Sequence, residues 1–190
     1  MKIFCLITAL ATIVGQEHFQ DLNSGKTFPK EVTVAFHDKN YILSATGAST
    51  RKKFIVKVYS IASYIENPST EKGIEQMFDP TKAKQLTQIF MQNIDKQKVT
   101  NVLNESLSKN ISIEQKSTLK PVVNEFLSFY TSVKTNDTHE LRWFPGGVVE
   151  LYINGNKAGS VTSEEFAVVL WKIWLGNNSI VNRNEMVSLL

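Results

Sequence analysis

Residues Lys53 to Glu66 read KFIVKVYSIASYIE. Phe54, Val56, Val58, Ser60 and Ala62 share one parity, and Ile55, Lys57, Tyr59, Ile61, Ser63 and Ile65 share the other. Both faces are mostly apolar, which is the pattern of a central strand covered on both sides. Upstream, Val32 to Phe36 (VTVAF) reads as a short strand. It pairs with Asn40 to Leu43 (NYIL) across the polar turn His37-Asp38-Lys39. The small residues of Ala45 to Thr50 (ATGAST) between them let backbones approach closely. Downstream, Asn67-Pro68-Ser69 ends the run. Glu71 to Phe78 is expected to form a short helix before the breaker Asp79-Pro80, and Lys84 to Gln92 a further strand. Asp95 suits an N-cap for a helix whose apolar positions are Val99, Val102, Leu103 and Leu107. Ser112 with Gln115 makes a capping box for a second helix, striped by Leu119, Val122, Val123, Phe126, Leu127 and Tyr130. Pro121 inside that stripe marks either a kink or the true helix start. Strands return at Glu140 to Phe144, Val148 to Ile153 and Lys157 to Val161, joined by Pro145-Gly146-Gly147 and the hairpin turn Asn154-Gly155-Asn156. Ser163 caps a helix through Leu175 that carries Phe166, Leu170, Ile173 and Trp174. Gly176 is expected as its glycine stop, and a tail helix from about Arg183 to Leu190 closes the chain. Strands, helices, strands, helices imply an α+β fold, a largely antiparallel sheet with helices packed on one face.

The chain has 190 residues, 42% of them apolar and 21% charged, which suits one globular domain and excludes a disordered chain. A single cysteine excludes a disulfide framework or a cysteine-rich zinc site, and the three histidines make no HExxH, so no metal or cofactor is called for. Net charge is +3 and only Arg51, Arg142 and Arg183 are arginines, a poor basis for nucleic-acid readout. Lys2 followed by IFCLITALATIVG has the layout of a cleavable secretory signal over residues 1–16. A buried N-terminal element is the alternative. The run is shorter than the roughly 20 apolar residues of a transmembrane helix. Residues 17–190 are then one exported domain, periplasmic or secreted, with no transmembrane segment.

No G-x-S-x-G, P-loop or GxGxxG is present. Arg51 stands out among the lysines. It follows the small-residue segment at the start of the apolar run, and arginine is preferred over lysine where a carboxylate or enolate oxygen must be gripped in fixed geometry. An ordinary surface ion pair is the other reading. Trp171 and Trp174, three apart on one helix, suit core packing or the wall of a cleft.

GASTRKKFIVKVYSIASYIE (Gly47 to Glu66), QIFMQNIDKQKVTNVLNESL (Gln88 to Leu107) and EEFAVVLWKIWLG (Glu164 to Gly176) together resemble the chalcone isomerase-like proteins, above all their secreted bacterial branch. The resemblance runs from about Ala45 to Gly176. It implies an open-faced β-sandwich, a large antiparallel sheet with helices on one face. Arg51 matches the arginine that polarises the substrate in plant chalcone isomerases, and Asn104 corresponds to a flavonoid-contacting asparagine. Tyr59 stands where a catalytic threonine is expected, no tyrosine lies near Lys96 to Lys98, and Ile173 replaces the last threonine. Most of the catalytic set is therefore absent.

The plastid fatty-acid-binding branch of the same superfamily implies a different role. There an arginine and a tyrosine grip a carboxylate while the tail lies in an apolar cleft. Arg51 and Tyr59 match those roles. Eight residues of straight strand would separate the two by roughly 26 Å at about 3.3 Å each, so they meet only if the chain turns between them, near Lys52-Lys53. The expectation is a non-catalytic carrier of an amphipathic small molecule such as a fatty acid. Arg51, Tyr59 and Asn104 would be at the ligand, with Phe54, Phe90, Phe126, Trp171 and Trp174 lining the cleft. An isomerase acting on an enone or ketone, with Arg51 as electrophile, and a partner-binding scaffold without ligand are the alternatives.

Overall fold

The chain turns back on itself at Phe54-Ile55, inside the run that reads as one strand. In the computed structural model, which describes residues 16–190, strand β4 (Lys39–Lys53) pairs antiparallel with β5 (Val56–Glu66), and Lys53 faces Val56 across a two-residue turn. The turn lies just beyond Lys52-Lys53. Its first residue, Phe54, has φ 55°, a region that favours glycine, so composition gave no turn signal there. ATGAST does not interrupt the sheet but lies within β4. The expected signal segment 1–16 lies, except for Gln16, outside the described residues.

Seven strands form one antiparallel sheet in chain order. β3 (Glu31–Phe36), β4 and β5 are followed by β6 (Lys84–Phe90), β7 (Thr138–Phe144), β8 (Val148–Ile153) and β9 (Asn156–Thr162). A small hairpin of β1 (His18–Gln20) and β2 (Thr27–Pro29) precedes them. The sheet curls strongly: the rings of Phe36 on β3 and Phe144 on β7, four strands apart, stack at 4.1 Å. The β8–β9 turn uses Asn154 and Gly155, both at positive φ, as an Asn-Gly hairpin requires.

Among the described residues three helices cover one face: α1 (Lys96–Ser108), α2 (Gln115–Ser128) and α3 (Glu164–Leu175). Asp95 caps α1 by accepting the Lys98 N–H at 2.9 Å. Ser112 and Gln115 form the reciprocal capping-box bonds, although the regular helix begins only at Gln115. Pro121 neither starts nor ends α2 but sits inside it, on the exposed side, so the carbonyl deprived of its N–H partner faces water. Ser163 caps α3, which buries eight of its residues, including Phe166, Leu170, Trp171 and Trp174. Gly176 ends α3 in extended backbone, not in the left-handed stop conformation.

The two remaining expected helices are shorter and tighter. Glu71 to Phe78 contains a 3-10 helix at Gly73–Phe78, and the tail holds one only at Glu185–Val187. That tail turn is pinned to a bulge at Thr46: the Thr46 and Ser63 hydroxyls both donate to the Met186 carbonyl, at 2.8 and 2.6 Å. The other sheet face is covered by the β1–β2 hairpin, with Phe28 buried against Val34, Tyr41 and Tyr64. Among the described residues no helix is long and apolar enough to cross a membrane.

Candidate ligand cavity

Arg51 and Tyr59 are direct partners across the β4–β5 ladder. Facing residues of an antiparallel pair project to the same side with Cβ atoms about 5 Å apart, so the hairpin turns a sequence separation of eight into a contact distance. A bulge follows at once, with Lys52 facing Lys57 and Val58 left unpaired. Both side chains face the helical layer and line a cavity of about 550 Å3 between β5, β6 and α1. That volume lies within the range of about 300–1,000 Å3 typical of small-molecule sites.

Arg51 is half-buried. Its Nη1 donates to the Lys52 and Ile180 carbonyls at 3.1 and 3.0 Å, which fixes the guanidinium. Among the described residues it makes no salt bridge, so its charge lacks a carboxylate partner at a cavity wall. Tyr59 is buried, and its hydroxyl oxygen accepts the Trp174 indole N–H at 2.9 Å. Burial pushes its pKa up to about 12, against the opposing pull of Trp174, the Arg51 charge and Gln88. The phenol is therefore neutral at ordinary pH. Its oxygen accepts from Trp174, and its O–H is the phenol's one donor, on the side of Gln88 and the cavity.

The remaining walls are mostly apolar. Val58 and Phe90 form part of the floor and Val99, Val102 and Leu103 of α1 the cover. Gln88, buried on β6, and Tyr130, at the end of α2, also line the space. Sequence reasoning did not single out these two as site residues. The signal for Gln88 was its shared parity with Leu86 and Phe90 on one strand face, and Tyr130 was hidden as one more member of a helical stripe. His139, paired with Gln88 across β6–β7, packs edge-on against Phe90 at 4.7 Å and Tyr130 at 5.6 Å.

Of the expected site residues, Arg51, Tyr59, Phe54, Phe90 and Trp174 line the cavity, and Asn104, Phe126 and Trp171 do not. Asn104 is exposed on the outer face of α1, because the helix turns Leu103 and Leu107 inward instead. Phe126 is enclosed by Phe129, Tyr130 and Phe166, and Trp171 packs edge-on against Trp143 at 5.3 Å, so both belong to the core. Phe54 touches the cavity only from the exposed hairpin tip.

A second hollow of about 450 Å3 lies between β3 and the β8–β9 pair. Its charged groups satisfy each other: Lys157 pairs with Glu150, which also accepts the Tyr152 hydroxyl at 3.1 Å. The first cavity, where Arg51 has no carboxylate partner among the described residues and the neutral Tyr59 phenol stands beside it, is the site with capacity for an anion.

Comparison with known proteins bears on the fold and the family. A fatty-acid binding protein of Arabidopsis thaliana, known from its crystal structure, superposes with a TM-score of 0.73 over 90% of this chain and 96% of that chain, at 17% identity. At such low identity the likeness shows a shared fold. No curated protein matches the sequence. The profile of the family described as chalcone isomerase-like matches residues 23–183, which include every strand of the curled sheet and all three helices. On that match the chain belongs to the chalcone isomerase-like family.

Proposed function

We propose that this protein is a non-catalytic carrier that binds an amphipathic carboxylate, such as a fatty acid, in the cavity between the sheet and α1. The observation that carries the reading is the cross-strand pair of Arg51 and Tyr59 at a largely apolar cavity. Arg51 supplies a positive charge with no carboxylate of its own, and Tyr59 supplies a neutral hydroxyl donor, a pairing that suits a carboxylate head. The apolar walls suit an alkyl tail. The fold shared with the Arabidopsis fatty-acid binding protein supports this reading. Export, in the manner of a secreted bacterial branch, rests on the Lys2 to Gly15 composition alone. The isomerase alternative needs an acid or base beside the substrate; among the described lining residues Glu105 is the one carboxylate, beside the phenols Tyr59 and Tyr130 and the amines of Lys53, Lys98 and Lys109.

The test is native mass spectrometry of the purified protein, followed by denaturing extraction and titration with a long-chain fatty acid. Arg51→Ala removes a charge-assisted contact of roughly 1.5–3 kcal/mol and is expected to weaken binding about 10- to 100-fold. Tyr59→Phe removes a neutral donor and is expected to cost about threefold to tenfold. A fatty alcohol should bind wild type and Arg51→Ala alike. A protein that takes up no fatty acid, or whose Arg51→Ala variant binds it like wild type, refutes the reading.

A further inference from the structure

Two-residue hairpin turns favour Asn-Gly or a leading glycine, because the first turn residue needs positive φ. The β4–β5 turn places Phe54 and Ile55 there. Phe54 holds φ 55°, a conformation that costs a bulky residue strain, and its side chain is 91% exposed. Ile55 is 94% exposed and Val56, next to them, 45%. Single exposed apolar residues such as Leu22 and Ile113 are ordinary on any surface. Adjacent large ones at a strained tip are not, and burial against something outside the chain would offset their cost.

The surroundings indicate what that is. Lys52, Lys53 and Lys57 flank the tip on both strands and are exposed, with Lys52 directly facing Lys57. Lys98 on α1 and Lys109, which follows its last residue, stand at the same cavity, and Phe54 and Lys53 belong to its lining. The tip is thus a short apolar wedge ringed by positive charge at the mouth of the cavity. Two or three side chains fall far short of the roughly 800 Å2 per partner of a stable protein interface. A wedge of that size with a basic collar matches the way peripheral proteins seat in an anionic bilayer surface.

We propose that the β4–β5 hairpin tip is a membrane-docking surface. Phe54 and Ile55 enter the headgroup boundary of an anionic lipid leaflet, and Lys52, Lys53 and Lys57 contact its headgroups. Docking so places the cavity mouth against the leaflet. The docking stands on the hairpin alone; its use, exchange of a fatty acid between leaflet and cavity, rests on the carrier reading.

Cosedimentation of the full chain with vesicles tests it, comparing phosphatidylcholine alone with phosphatidylcholine mixed with phosphatidylglycerol. The expected result is binding to the mixed vesicles, weakened by raising salt. Ile55→Ser, which changes an exposed residue outside the cavity lining, should weaken it about tenfold. Lys52→Glu with Lys57→Glu should weaken it at least about twentyfold, from about fivefold for each lysine. Equal binding to neutral and anionic vesicles, no vesicle binding, capture by a protein partner in its place, or wild-type binding by Ile55→Ser would overturn the proposal. Titrating Ile55→Ser with fatty acid in the absence of vesicles tests the cavity separately. Retained uptake with lost docking supports both readings, whereas docking without uptake leaves the surface standing and removes the carrier.

Discussion

His139 is fully buried, and among the described residues neither ring nitrogen has a hydrogen-bond partner. Burial lowers its pKa to about 4, against the weaker upward pull of Asp137, so the folded protein holds it neutral. The unfolded chain titrates it near its ordinary value of about 6.5. Between those values the unfolded state binds the extra proton, so the contribution of His139 to stability is complete above about pH 6.5 and is lost as pH drops toward 4. Asp21 adds a lower step. Burial alone would raise its pKa, but hydrogen bonds from Ser60, Thr50, Ser24 and the Asn23 N–H outweigh burial and lower it. Its contribution persists above the ordinary aspartate range and is lost at more acid pH. His139→Leu removes two orphan nitrogens. The variant is expected to be about 1 kcal/mol more stable at pH 7 and to lose the upper step of the acid limb, with the lower one kept. Urea denaturation at a series of pH values measures both; an unchanged slope between pH 6.5 and 4 would refute the assignment. None of this was legible beforehand, since a lone histidine among strand residues gives no sign of being enclosed by Phe90 and Tyr130.

Elements were more legible than their junctions. The Asp95 and Ser163 caps, the Asn154-Gly155 hairpin and the order of strands and helices follow from spacing, because periodicity and capping are local physics. The β4–β5 turn was not readable, since Phe-Ile carries no turn preference and the register that joins Arg51 to Tyr59 is set by tertiary pairing. The tail departs from the expected helix for a related reason: residues 185–187 are held by the Thr46 and Ser63 hydroxyls of the sheet, not by helix propensity. Gly47 is where that attachment is most exacting. It has φ 155°, and a Cβ there would lie 2.1 Å from the Glu185 carbonyl oxygen and 2.7 Å from the Met186 carbonyl carbon. Both are backbone atoms, so no rotamer change relieves the clash. Gly47→Ala is expected to cost roughly 2–4 kcal/mol and to release the tail turn from the Thr46 and Ser63 hydroxyls. The same shift loosens the tail segment whose Ile180 carbonyl holds Arg51, so fatty-acid affinity should fall together with melting temperature. A Gly47→Ala protein that melts like wild type would show that the tail attachment adds nothing to the fold.

At the scale of the molecule, the helical layer is unevenly anchored, and the cavity lies under α1, one of its two lightly buried helices. α3 buries eight residues, whereas α1 buries Leu103, Ser106 and Leu107. A helix held by so few contacts opens locally at less cost than the sheet and α3 beneath it. A ligand in the space between β5, β6 and α1 would add apolar contacts to Val99, Val102 and Leu103, which line it. On the carrier reading, a fatty acid at about 100 times its Kd stabilises the fold by about 2.7 kcal/mol. The gain should not be spread evenly. Hydrogen exchange is expected to slow most in α1 and the β4–β5 hairpin and to change little in β7, β8 and β9, which are paired on both sides or lie away from the cavity. Arg51→Ala should reduce the stabilisation at a fixed fatty-acid concentration, because weaker binding lowers occupancy, while keeping whatever protection remains in the same place. Protection that rises uniformly, or first in β8 and β9 beside the second hollow, would move the ligand away from Arg51 and with it the functional reading of the curled sheet.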